Sequence, residues 1–359
     1  EPSGVWIMAY TTIDDPTIFF NTVLYTGTGS SNSVTGVGFQ PDWVWLKKRN
    51  STGNNFIYDV VRGVQETIYT DATSAEATQS QGLTAFGADG FTVGTNTNIN
   101  GSSNTNVSWN WKAGGSAVTN NDGDMTSSVS ANNTAGFSII TWTGDGSGAN
   151  VGTGLSGSET IGFATVKKRS TTSEWQTGVS GAYSGLARNF AYHQELNSTS
   201  ALSGSAPYMM TSMLSGNPNK LRLASEGYVN GVTYVAYVFK PVKGYSAMGA
   251  YIGNGNADGP FVYTGFKPAW LLIKRTDSAN SWHLYDNKRD PVNPVDNYLL
   301  ADTTGSETSD TNKGTDLLSN GFKLRTTHNS HNASGGRFVY MAFAESPFVN
   351  SNGVPNNAR

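Results

Sequence analysis

The chain repeats itself, and that constrains its fold more than any other feature. Three segments open alike, Tyr25-Thr-Gly-Thr-Gly29, Trp142-Thr-Gly-Asp-Gly146 and Tyr251-Ile-Gly-Asn-Gly255, at a period of about 110 residues. Each opener leads to an apolar run that ends in bases: Trp43-Val-Trp-Leu-Lys-Lys-Arg49, Phe163-Ala-Thr-Val-Lys-Lys-Arg169 and Trp270-Leu-Leu-Ile-Lys-Arg275. A second short run follows, at Phe56-Ile-Tyr-Asp59, Trp175-Gln-Thr177 and Trp282-His-Leu-Tyr-Asp286. Late in the first and third units a Gly-Phe pair starts another, Gly90-Phe-Thr-Val93 and Gly321-Phe-Lys-Leu324, where the second unit has Lys220-Leu-Arg-Leu223. All three close on an aromatic run: Val107-Ser-Trp-Asn-Trp111, Tyr234-Val-Ala-Tyr-Val-Phe239 and Phe338-Val-Tyr-Met-Ala-Phe343.

These runs are short, rich in β-branched and aromatic residues, and alternate with period two, as in Trp43/Trp45 and Trp109/Trp111. Between them lie Gly, Asn, Ser and Asp, the residues of tight turns. Gly alone accounts for 42 of 359 residues. A unit of this length can bury a core of its own, unlike solenoid repeats of about 20–50 residues. The sequence therefore predicts an all-β chain of three tandem β-sandwich domains, jelly-roll or concanavalin-like, over residues 17–118, 119–243 and 244–349. A short segment (1–16) precedes them and a coil tail (350–359) follows.

Composition narrows the function. Charged residues are only 14%, and the net charge is −3. The strongest basic clusters hold two or three charges, at Lys47-Lys48-Arg49, Lys167-Lys168-Arg169 and Lys274-Arg275, too few for a nucleic-acid footprint. No apolar run approaches the ~20 residues of a membrane span. With no cysteine, disulfides, thiolate chemistry and Cys-ligated metals are excluded. Glu1 opens no signal-peptide pattern, and without an initiator Met a longer natural N-terminus is expected.

Candidate sites sort by whether they repeat. Trp43, Trp270, Tyr237 and Phe343 recur at matched positions and read as core. Tyr183, Tyr192 and Tyr208 fall in the divergent middle of the second unit, so they are the candidate ligand-binding aromatics. Asp59-x-x-Arg62 and Asp286-x-x-Arg289 occupy matched places, and the second unit lacks the pair. Catalysis would require a partner acid at defined reach, so these four residues read as structural ion pairs or turn caps. Asn254-x-Asn256-x-Asp258-Gly259 has the alternating oxygens of a calcium loop, but Gly265 stands where a bidentate Glu belongs. Plain turn chemistry is the competing explanation there, as it is for Asn121-Asp122-Gly123-Asp124. His328-x-x-His331 brings two imidazoles together with no third ligand evident, so no metal site is expected. No nucleophile elbow, P-loop or H-E-x-x-H motif is present, and the expectation is a protein that is not an enzyme.

Together the runs from Tyr25 to Arg49, Asp59-Val-Val-Arg-Gly63, Val107-Ser-Trp-Asn-Trp-Lys-Ala-Gly-Gly115, Gly249 to Phe261 and Met341 to Phe348 resemble an uncharacterised repeat domain of marine bacteriophage tail-fibre and virion structural proteins. The resemblance covers nearly the whole chain from about Asp15. It implies a virion protein made in a bacterial host and exposed on the particle. Its expected partners are other virion proteins, further copies of itself as a homotrimer, and a host surface glycan. It supplies no catalytic residues. A capsid decoration or connecting protein, a polysaccharide depolymerase and a secreted bacterial adhesin are the competing readings.

Overall fold

A computed structural model describes residues 10–179, 193–202, 209–212 and 218–356. Over them the chain is all-β, arranged as large antiparallel sheets each paired with a three-stranded one. The first large sheet orders its strands Phe20–Thr26, Thr105–Trp111, Trp43–Lys48, Asn55–Asp59, Gly63–Tyr69 and Ala77–Thr78. The second runs Val118–Asn120, Ser127–Asn132, Phe137–Thr143, Thr233–Phe239, Phe163–Lys168, Gln176–Val179 and Gln194–Glu195. The third runs Ser246–Ile252, Arg337–Pro347, Phe266–Arg275, His283–Asp286, Asn297–Leu300 and Thr308–Ser309. Their small partners centre on Gly90–Val93, Lys220–Leu223 and Gly321–Leu324.

The apolar runs predicted as strands are strands, but both of their faces are buried. In Trp43–Lys48 every residue is buried. Val44 and Leu46 pack beneath the small sheet with Val34, Phe91 and Val93. Trp43 and Trp45 point the opposite way, into a core that the large sheets share. The same division holds elsewhere: Leu271 and Ile273 face the third small sheet, whereas Trp270 and Leu272 face the shared core. A strand buried on both faces reads as a nearly continuous apolar run rather than an alternating one.

That shared core is the difference from three self-sufficient sandwiches. Each sheet pair does have its own apolar cluster, but the largest cluster draws on Trp109 and Trp111, on Tyr237 and Phe239, and on Trp270 and Phe343 together. Trp43 stacks on Tyr237 with centroids 4.7 Å apart, and Trp111 meets Trp270 edge-on at 5.5 Å. Aromatic pairs at such separations are worth about 0.5–1.5 kcal/mol beyond the area they bury. The large sheets thus close face-inward around one aromatic centre.

Candidate functional site

The seams between the sheets collect most of the buried charge. Lys47, Lys167 and Lys274 occupy the same register, four residues beyond Trp43, Phe163 and Trp270, and each is fully buried. Lys47 Nζ donates to Gly53 O at 2.7 Å and, across a seam, to Thr303 O at 2.8 Å. Lys167 Nζ donates to Ser173 O and across the next seam to Thr73 O, at 2.7 and 2.8 Å. Lys274 Nζ donates to Asn280 O and to Thr199 O across the third. Burial pushes all three ammonium groups down from the ordinary lysine range to about 8. An indole or amide reinforces each seam: Trp175 Nε1 donates to Tyr69 O, Trp282 Nε1 to Glu195 O, and Asn55 Nδ2 to Leu300 O. The ring closes on itself.

The Asp-x-x-Arg pairs lie in two of these seams. Asp59 caps its turn by accepting from the backbone N–H of Val61 and Arg62, and it binds Arg62 Nε at 2.5 Å with both side chains fully buried. Arg62 continues to Glu76, and Glu76 binds Arg169 of the second unit at 2.7 Å. From that unit, Tyr237 donates its hydroxyl to Asp59 at 2.7 Å. Asp286 and Arg289 repeat the arrangement: Arg289 reaches Glu307, Glu307 binds Arg49, and Trp109 Nε1 donates to Asp286 at 2.9 Å. Val179 stands where Asp59 and Asp286 stand, opposite Phe163 as they are opposite Trp43 and Trp270. Arg275 turns instead to Asp277 of its own unit. In both pairs each carboxylate is engaged by the arginine, backbone amides and one aromatic donor, an arrangement that fixes sheets and leaves no lone pair aimed at a cleft.

Sequence reasoning missed a third imidazole. His283 packs on His331 with ring centroids 4.4 Å apart, and His328 lies 6.5 Å from His331. By strand register and cap position, His283 and His331 replace Phe56 and Ile99 of the first unit, a swap that comparison of the units could have revealed. The hydrogen bonds run one way. Tyr285 shares its one hydroxyl proton between His331 Nε2 at 2.8 Å and Lys313 O at 3.2 Å, His331 Nδ1 donates to Ser330 Oγ at 2.6 Å, and Ser330 Oγ to His328 Nδ1 at 2.7 Å. This polarity follows from the Ser330 N–H, which donates to His328 Nδ1 and marks that nitrogen as an acceptor. Burial pushes His283 down to about 3 and His331 well below the usual range, so both are neutral near pH 7. Among the described residues no group of three or more His, Cys, Asp or Glu can hold a metal ion.

The calcium-loop oxygens are occupied by protein donors. Asn254 Oδ1 accepts from Asn256 N–H and Asn332 Nδ2, Asn256 Oδ1 accepts from Asp258 N–H, and Asp258 pairs with Lys323 at 2.9 Å. Likewise Asn121 Oδ1 accepts from Thr126, and Asp124 accepts from Ala149 N–H and Asn150. Turn chemistry accounts for both loops. Tyr183, Tyr192 and Tyr208 lie outside the described residues.

Two of the cavities among the described residues lie at the centre and at a junction of units. One of about 10 Å³ sits in the aromatic centre against Trp43, Trp45, Trp175, Tyr237 and Trp270, room for at most one water. The other is an open groove of about 720 Å³ where the second and third units meet, lined by Asn133, Glu159, Lys243, Met248 and Thr264. It falls in the size range of ligand sites, which favour domain junctions.

Comparison with known proteins adds a family and no activity. The model of a family described as Domain of unknown function (DUF7483) matches residues 15–347. No curated protein matches the chain.

Proposed function

The chain belongs to the DUF7483 family, and from that premise we propose that it is a non-catalytic bacteriophage virion protein, a tail fibre or comparable surface appendage that adsorbs to a host surface glycan. The observation that carries this reading is how the buried charges are used. Lys47, Lys167, Lys274 and both Asp-x-x-Arg pairs are engaged in holding sheet to sheet. A chain that commits its buried ionic groups to rigidity, and dresses its loops in hydroxyls and amides, is suited to display. Adsorption then comes from many weak contacts multiplied by copy number, which raises avidity without one tight site. Its partners in this reading are other virion proteins and copies of itself in a homotrimeric appendage.

The test is location and competition. An affinity-tagged chain mapped by electron microscopy should lie on the particle surface, and excess purified chain should slow adsorption of the particle to host cells. A chain placed on the capsid lattice that leaves adsorption unchanged would make it a decoration protein. Release of oligosaccharide from host polysaccharide would replace the display reading with a depolymerase.

A further inference from the structure

The third unit carries an aromatic ledge that its fold does not require. The strand Phe261–Tyr263 pairs with Gly321–Leu324 at one edge of the small sheet. Its middle residue, Val262, is buried and packs inward, as Val34 and Val151 do at the matching register of the other units. The flanking residues point outward. They are Ser33 and Thr35 in the first unit and Asn150 and Gly152 in the second, but Phe261 and Tyr263 in the third. Two edge strands of identical topology do without aromatics here. Phe261 remains 44% exposed and Tyr263 56% exposed.

The ledge is also held in place. Tyr10 donates its hydroxyl proton to Gly265 O at 3.2 Å, which leaves Tyr263 to donate to Tyr10 Oη at 2.8 Å. Lys243 Nζ sits 4.3 Å from the centroid of the Tyr10 ring. At the other end Phe261 is opposite Lys323, which pairs with Asp258. A β-carbon on Gly321 would come 2.1 Å from Val262 O, as one on Gly90 would come 2.0 Å from Val34 O, so this glycine serves the strand pairing, and the Phe261 ring lies over it with two carbons at 3.0 Å from that position. Thr264, which follows Tyr263, and Lys243, which packs on Tyr10, both line the 720 Å³ groove, so the ledge borders a trough that mixes Asn133 and Glu159 with apolar Val242 and Met248.

We propose that this ledge and groove form a saccharide site, with Tyr263 and Phe261 stacking against pyranose faces and the trough taking the hydroxyl rim. The assignment rests on the display reading above and gives its glycan a place on the chain. Size argues for a small amphipathic ligand over a protein partner. Two rings of about 150–250 Å² each, half exposed, offer roughly 200 Å², whereas a stable protein interface takes about 800 Å² from each side. Charge argues the same way. The groove lining carries one cation, Lys243, and one carboxylate, Glu159, and Lys323 is paired with Asp258, so no single-sign field awaits an ionic polymer. What remains is an apolar plane bordered by hydroxyls, amides and paired charges, the complement of a hexose.

The experiment titrates the intact chain with tetrasaccharides of β-1,4-linked glucose, N-acetylglucosamine and mannose, followed by saturation-transfer NMR and calorimetry. At least one should saturate below about 10 mM, and Tyr263→Ala and Phe261→Ala should each weaken it about fivefold or more with an unchanged unfolding midpoint. Val118→Ala, on an exposed residue elsewhere, should leave the affinity as it was. No binding by any of the three overturns the saccharide site. Binding that survives both aromatic variants overturns its location but leaves the display reading intact, because adsorption competition measures that separately. A chain that dimerises through the ledge, and loses the dimer rather than sugar binding in Tyr263→Ala, also overturns the proposal.

Discussion

Excising the third unit as residues 244–349 tests whether the shared aromatic core is a condition of folding. The excised unit keeps its own cluster around Phe322, Tyr285 and Leu271. It loses the cover over Trp270, Leu272, Trp282, Leu284, Val339, Met341 and Phe343, which in the chain pack with Trp45, Trp111 and Phe239 among others. At about 1.5–3 kcal/mol for each large apolar side chain fully buried, the loss is on the order of 10–20 kcal/mol. That equals or exceeds the ~5–15 kcal/mol by which whole domains are stable. The excised unit should therefore be unfolded as a monomer, or fold only by self-association that rebuilds the missing sheets. Amide dispersion by NMR and urea melts across a hundredfold concentration range distinguish these outcomes. A folded monomer with a concentration-independent, cooperative melt would refute the shared-core reasoning.

Three further outcomes follow from the seams and the histidines. Asp286→Ala should cost about 3–5 kcal/mol in urea melts because it strands a buried guanidinium, while adding Arg289→Met should restore much of it; equal losses in both variants would refute the assignment. His283 and His331 titrate in the unfolded chain near 6.5 but are pushed to about 3 and far down in the fold, so the unfolded state binds more protons as pH falls below 6.5. Thermal midpoints should accordingly drop between pH 6.5 and 4, and a His283→Phe/His331→Ile variant, restoring the residues of the first unit, should flatten that slope. Hydrogen exchange should find the seam without an Asp-x-x-Arg bridge opening first, so the Asn280 amide, bonded to Thr199 O, exchanges faster than those of Gly53 and Ser173, bonded to Thr304 O and Thr73 O; uniform protection would count against a weak third seam.

Strand identity was legible because Trp-Val-Trp-Leu cannot be solvated and is bounded by turn residues, so Trp43–Lys48 was readable as a β-strand. Which partner each face meets was not. Val44 and Trp45 are equally apolar, and nothing in their identity says that one meets a small sheet and the other a neighbouring unit. Lys47 illustrates the same limit with charge. Beside Lys48 and Arg49 it reads as a solvated cluster, yet strand alternation turns it inward to a carbonyl more than 250 positions away. His283 was hidden by distance from His328 and His331, although its register with Phe56 marked a polar group at a core position. Phe261 and Tyr263 were obscured because the matched strands share only a buried valine, too little to align by eye.

Ring closure also resolves a hazard that the composition creates. A chain this rich in β-structure presents sheet edges, and an uncovered edge is a template for pairing with another molecule. The outermost strands near the seams, Ala77–Thr78, Gln194–Glu195 and Thr308–Ser309, are only two residues long. Beside them the neighbouring unit takes over: Glu76 N–H donates to Arg169 O, Glu307 N–H to Arg49 O, and Trp282 donates its indole N–H to Glu195 O. The buried lysines serve the same end, since Thr73, Thr199 and Thr303 would otherwise hold carbonyls at a seam with fewer donors. Burying three ammonium groups against carbonyls is costly to stability, and an apolar replacement at any one of them need not be worse. Their common register in all three seams is better explained by what they specify. Each ammonium has an acceptor in its own unit and gains a further carbonyl only when the next sheet is docked at one height, so the lysines favour one register at each seam while the aromatics supply the apolar burial.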